Sequence, residues 1–138
     1  MIVLIAILAF YHISPSLHTL WVIPILTIEM IMALAVGMLF ASINVYFRDI
    51  TAVVPIILMA WLFLTPVIYP LESIPVQYQL YAKLNPMTGI LEGLRSAVIS
   101  GSPPDRISML FSITITFTFV IFSYLLFKKL EKGFSDVI

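Results

Sequence analysis

Three long uncharged runs, Met30–Phe47, Ile50–Leu71 and Ile107–Phe127, set the solvent in which this chain folds. The hydrocarbon core of a bilayer is roughly 30 Å thick, and a helix needs about 20 apolar residues to cross it. Inside that core every backbone N–H and C=O must be paired within the segment, so runs of this kind are expected to be helical. Composition agrees: 62% of the 138 residues are hydrophobic and 10% are charged, where a soluble domain carries about 25% charged residues. The sequence therefore predicts an all-α fold, a polytopic transmembrane helical bundle.

The runs and their breaks divide the chain into a single transmembrane domain with an ordered series of segments. Met1–Tyr11 is apolar but short, about 16 Å long as a helix, and has neither the positive start nor the cleavage site of a signal peptide. It reads as the end of a span whose beginning is missing, in preference to one arm of a re-entrant hairpin. Complete spans are expected at Leu20–Ile43, Thr51–Tyr69 and Ile107–Phe127. The last contains a Ser/Thr-alternating stretch, SITITFTF, that fits a strand as well as a helix, and its length in a lipid setting decides for helix. The expected bundle thus has three complete spans and one partial span.

Lysine and arginine orient the spans. The turn Asn44–Ile50 and the tail Lys128–Ile138 share one side and carry Arg48, Lys128, Lys129 and Lys132. The segments His12–Thr19 and Glu72–Arg106, together much longer, share the other side and carry Lys83, Arg95 and Arg106. The higher density puts the turn and the tail in the cytoplasm. Two short helices are expected in the outer stretch Glu72–Arg106. One covers Ser73–Leu84, with Pro75 near its start. The other has Asn85 as N-cap and Pro86 at the first helical position, where a missing N–H costs nothing. Met87, Ile90, Leu91, Leu94 and Val98 then recur at helical spacing, Glu92 and Arg95 stand three apart on the polar side, and Gly101 with Pro103 and Pro104 closes the segment. Amphipathic helices before the last span sit at or dip into the outer face. They serve either as a lid or as a plain surface cap, and periodicity does not separate the two.

Three constellations carry chemistry. The turn residues Asn44, Tyr46, Arg48 and Asp49 lie at a membrane boundary, where Tyr and Arg anchor at headgroup level in any case. The alternative is a stiff docking element for a cytoplasmic partner. Glu29 lies inside an apolar segment, where an ionisable group costs on the order of 2.5–3.5 kcal/mol. The uncharged runs offer no partner for a proton relay, so packing or pore lining is the favoured role. Trp61, Phe63, Tyr69, Tyr78 and Tyr81 are rings of the kind that bind sugar faces and also form the interfacial belt.

Absences narrow the function. There is no cysteine, and the two histidines have no metal-ligand spacing. No P-loop, H-E-x-x-H or G-x-S-x-G motif occurs, which points to a non-enzyme with no cofactor or metal of its own. Seven Lys+Arg balance seven Asp+Glu, so charge implies no nucleic-acid partner.

Three blocks in order resemble the membrane subunit of type-2 ABC exporters of polysaccharide or lipid-linked glycan, the permeases of O-antigen, capsule and teichoic-acid export. They are Gly37–Ile50 (GMLFASINVYFRDI), Phe63–Tyr69 (FLTPVIY) and Leu84–Arg95 (LNPMTGILEGLR). The resemblance runs from about Leu20 to Lys132 and covers the second half of such a subunit, from the end of its third span through its sixth. It implies a multi-pass protein of the bacterial plasma (inner) membrane, working as a homodimer with an ABC ATPase subunit that supplies the use of ATP. It also implies that Asn44, Tyr46, Arg48 and Asp49 contact that ATPase. Glu29, Trp61, Phe63, Tyr69, Tyr78, Tyr81, Asn85, Glu92 and Arg95 would belong to the glycan path or its outer gate. An ABC permease for a drug or other hydrophobic substrate shares the architecture, and a small standalone membrane scaffold is the reading from another class.

Overall fold

The computed structural model describes residues 17–47, 49–67 and 69–131. The expected partial span Met1–Tyr11, Arg48 and the tail beyond Glu131 lie outside the described residues. The described residues form five α-helices and no strand: α1 (Val22–Tyr46), α2 (Ile50–Leu64), α3 (Val76–Lys83), α4 (Pro86–Arg95) and α5 (Arg106–Glu131). A 3-10 turn, Leu17–Trp21, leads into α1, and a single π turn, Ser96–Ser100, extends α4.

Two helical stretches are long and apolar enough to cross a bilayer, Leu17–Tyr46 with 30 residues and Arg106–Glu131 with 26. The SITITFTF stretch lies inside α5 and is helical throughout. The expected first complete span, Leu20–Ile43, runs on to Tyr46 in the structure, so Asn44 and Tyr46 form the last helical turn of α1 and not part of a loop. Nothing in Ile43–Tyr46 disfavours a helix, and the backbone leaves helical geometry only at Phe47.

The expected span Thr51–Tyr69 is helical only over its first part. α2 has 15 residues and ends at Leu64, a length of about 22 Å. Thr65 is extended, at φ −96 and ψ 134. It precedes Pro66, whose ring disfavours the helical conformation in the residue before it. Hydropathy continues to Tyr69, but the helix does not.

α1 packs against α5, and α4 contacts both. The buried residues of α1 are Ile25, Met32, Ala35 and Ser42, and those of α5 are Ser108, Met109, Ser112, Thr116 and Ser123. Small residues on both faces allow close backbone approach, which is how helices associate where no hydrophobic drive separates lipid from protein. The apolar core lies where the first half of α1, α4 and the start of α5 meet. Ile25, Ile90 and Met109 form it, with Ile28, Met87 and Leu94 packed around them. Gly89 makes the α4–α5 approach possible, since a Cβ there would collide with Ser112 Oγ and the Ser108 carbonyl. Ser112 Oγ in turn donates to the Pro86 carbonyl at 2.7 Å.

The caps follow local chemistry. Asn85 Oδ1 accepts the Met87 N–H at 3.1 Å, with Pro86 opening α4 as expected. The π turn ends at Gly101, whose φ of 59 suits a residue without a side chain. Asp105 caps α5. Its Oδ2 accepts the Ser108 N–H at 2.9 Å and the Ser108 hydroxyl at 2.6 Å. Both bonds favour the ionised form, so the Asp105 carboxyl is held below its ordinary value, with the hydroxyl bond the larger cause. Lys128 and Lys129 stand in the last turn of α5, where the helix dipole favours cations.

Candidate functional site: a groove between α1 and α2

α1 and α2 leave a groove of about 540 Å³ between them. One face of α1 supplies Glu29, Met32, Ala33, Val36, Gly37 and Phe40, and α2 with its end supplies Val54, Leu58, Trp61, Leu62 and Thr65. Val67 and Met87 complete the wall. The spacings on α1 are those of a single helical face. The wall is apolar apart from Glu29 and the polar groups at the Trp61–Thr65 end. Glu29, the one ionisable residue lining it, is half-buried.

The Trp61–Thr65 end of the groove is fixed by a hydrogen-bond network. Trp61 Nε1 donates to Asn85 Oδ1 at 3.1 Å, and Asn85 Nδ2 donates to Thr65 Oγ1 at 2.8 Å. The Thr65 hydroxyl donates to the Trp61 carbonyl at 2.8 Å. The side chain that caps α4 therefore also holds two residues of the groove wall.

The other residues implicated by the sequence fall at several places. Phe63 is exposed, and its carbonyl accepts from the Tyr69 hydroxyl at 3.1 Å, so the two join in a loop-bracing contact beyond α2. Tyr78 and Tyr81 stand exposed on α3. Glu92 and Arg95 form an ion pair on α4 at 2.5 Å, and neither lines the groove. Of the residues linked to the path or gate, Glu29 and Trp61 line the groove, and Asn85 joins it through Trp61 and Thr65.

At the other end of α1, the Tyr46 hydroxyl donates to the Leu130 carbonyl at 2.9 Å and ties the turn to the last turn of α5. Asn44 Oδ1 is buried without a hydrogen-bond partner. Asp49 is exposed at the start of α2, and the Ile50 N–H bonds back to the Phe47 carbonyl at 3.1 Å to close a tight turn.

Three contributors were not singled out in the sequence: Thr65, Ser112 and Asp105. Asp105 had a readable signal, Asp-x-x-Ser ahead of an apolar run. Thr65 and Ser112 act through partners 20 and 26 residues away, and no local pattern marks them.

The ABC-2 type transporter family model matches residues 1–99. The chain belongs to that family. This ABC-2 chain is 28% identical over 138 residues to an O-antigen export system permease protein RfbA of Klebsiella pneumoniae, an alignment covering 99% of the chain and 52% of the relative. It is 28% identical over 103 residues to the polysialic acid transport protein KpsM of Escherichia coli, covering 75% of the chain and 40% of the relative. A further O-antigen export system permease protein RfbA, from Myxococcus xanthus, is 26% identical over 126 residues, covering 90% and 48%. The ABC-2 chain spans about half the length of the curated relatives it matches.

Proposed function

We propose that this chain corresponds to the carboxyl-terminal half of the permease subunit of an ATP-driven exporter that moves polysaccharide or lipid-linked glycan out of a bacterial cytoplasm. The observation that carries the reading is the alignment of 99% of the chain with a permease named for O-antigen export. The same likeness to a polysialic acid transport protein supports a glycan over a drug as cargo.

In this reading α1, α2 and α5 are spans of the inner membrane. α2 crosses as a short helix of 15 residues. The turn at Phe47–Asp49 faces the cytoplasm and, with the end of α1, meets an ABC ATPase subunit through Asn44, Tyr46, Arg48 and Asp49. α3 and α4 lie at the outer face and form the exit gate. A second copy of the permease encloses the path. The chain itself carries out no chemistry: ATP acts through the partner, whose cycle stabilises one arrangement of the spans over another. The groove fits a wall of that path. It offers long apolar surface beside Trp61, a ring able to stack on a sugar face, and one carboxylate at Glu29.

The test is loss and restoration of cell-surface glycan. Deleting the gene that encodes this chain is expected to abolish surface glycan and leave lipid-linked glycan inside, with both reversed by the intact gene. Unchanged surface glycan in the deletion strain rejects the reading. Within the same intact transporter, a cysteine at Asp49 is expected to cross-link to the ATPase subunit. No cross-link there removes the proposed contact.

A further inference from the structure

α2 is unusual among the longer helices in that none of its residues is buried. Its main packing partner is α1, across the groove. A helix so sparsely packed needs something at its ends to fix its distance from α1. At its start, the tight turn through Phe47 and Ile50 connects it to α1. Pro55, one turn further on, lacks the N–H that would bond the carbonyl of residue 51 and supplies a point of bending. At its far end, the attachment is Asn85.

We propose that Asn85 is a latch that sets the width of the α1–α2 groove, with Pro55 as the hinge. Asn85 is a positioning residue: it acts on the groove through Trp61 and Thr65. Its side-chain amide makes three hydrogen bonds, two at Oδ1 and one at Nδ2. Oδ1 accepts from both Trp61 Nε1 and the Met87 N–H, and Nδ2 donates to Thr65 Oγ1. Its anchorage is rigid. α4 is pinned to α5 by the Gly89 contact and by the Ser112 bond to Pro86, the residue next to Asn85. The latch thus joins a sparsely packed wall to a firmly packed one. Each bond is part-buried, so water competes poorly for it while the latch is closed. Once Asn85 lets go, the outer end of α2 has no other side-chain hydrogen bond to α4 among the described residues. It is then free to swing away from α1 about Pro55. Opening of the groove and movement of α4 become one event, because they share a side chain.

Capping and latching can be separated. Serine caps a helix as well as asparagine, but its side chain is too short to reach Trp61 and Thr65. Asn85→Ser therefore keeps α4 and removes the latch. Trp61→Phe removes the Nε1 donor and keeps the ring in the wall. Spin labels at Leu34 on α1 and Met59 on α2, both exposed and outside the groove, report the separation of the two helices by pulsed electron paramagnetic resonance. The measurement uses the intact protein in lipid nanodiscs without substrate, so it does not depend on the export reading. Asn85→Ser and Trp61→Phe are each expected to shift the Leu34–Met59 distance to longer values with a broader distribution. The double variant should add little to Asn85→Ser, since the bond that Trp61→Phe removes is already lost there. Distances unchanged in both single variants, or fully additive shifts, overturn the proposal.

Discussion

At Gly89 a hydrogen stands where every other residue would place a carbon against the Ser108 carbonyl and Ser112 Oγ. Gly89→Ala must push α4 off α5, and overpacking of this kind costs typically 1–3 kcal/mol. Gly37 is a control on the same chain, because a Cβ there meets nothing within 4 Å. Gly37→Ala is expected to be neutral or to stabilise by up to about 1 kcal/mol, the helix-propensity difference. Unfolding of the two purified variants in detergent checks the contrast. Asp105 offers a pH test. Its carboxyl is held below its ordinary value of 3.8 by the Ser108 hydroxyl and N–H. A lowered folded-state value means that the group's stabilisation is fully present above the ordinary value and is lost as pH falls through the folded value. Asp105→Ala should therefore lose the cap at neutral pH, about 0.5–2 kcal/mol. The gap to the parent protein should close in acid, below the ordinary carboxylate range. A gap that persists there would assign the loss to something other than the ionised cap.

Among the helices, the face of α5 turned toward α1 and α4 carries hydroxyls of two kinds. Ser112 is buried and bonded to the Pro86 carbonyl, whereas the Thr116 hydroxyl is buried with no partner. Removing a paired group loses its hydrogen bond, and removing an unpaired one relieves a desolvation cost. Ser112→Ala is thus expected to destabilise by about 0.5–1.5 kcal/mol through loss of the hydrogen bond between α4 and α5, while Thr116→Val is neutral or stabilising. Equal losses in the two variants would mean that the two hydroxyls do not differ in this way. The elements themselves were largely legible in the sequence. Asn85-Pro86 marked the start of α4, Gly101 marked the end of the π turn that extends it, and length decided helix over strand for the Ser/Thr-rich part of α5. Hydropathy runs on to Tyr69, whereas the helix α2 ends at Leu64, ahead of Thr65-Pro66, the stop that the sequence itself contains. The groove was only partly legible. Glu29 and Trp61 drew notice by their chemistry, but the bonds from Trp61 to Asn85 and from Asn85 to Thr65 cross 24 and 20 residues. Sequence periodicity reports which face a residue lies on and not which distant residue it meets.

On the scale of the whole molecule, exposed apolar surface is the dominant fact. Leu34, Ile56, Phe63, Leu110 and Phe122 all stand open on the described chain. Patches of this extent on a protein surface mark contact with lipid or with other protein, and in an ABC-2 family chain both fit. α1 and α5 can cross a bilayer by length alone, and α2 is the element on which the topology turns. If α2 crosses, the turn at Asp49 and the α3 helix lie on opposite sides of the membrane. The most direct measurement is labelling of single cysteines at Asp49 and Gln79 by a membrane-impermeant thiol reagent, in intact cells and again after permeabilisation. The account predicts that Gln79 is labelled in intact cells and Asp49 only after permeabilisation. Labelling of both positions from the same side would contradict it.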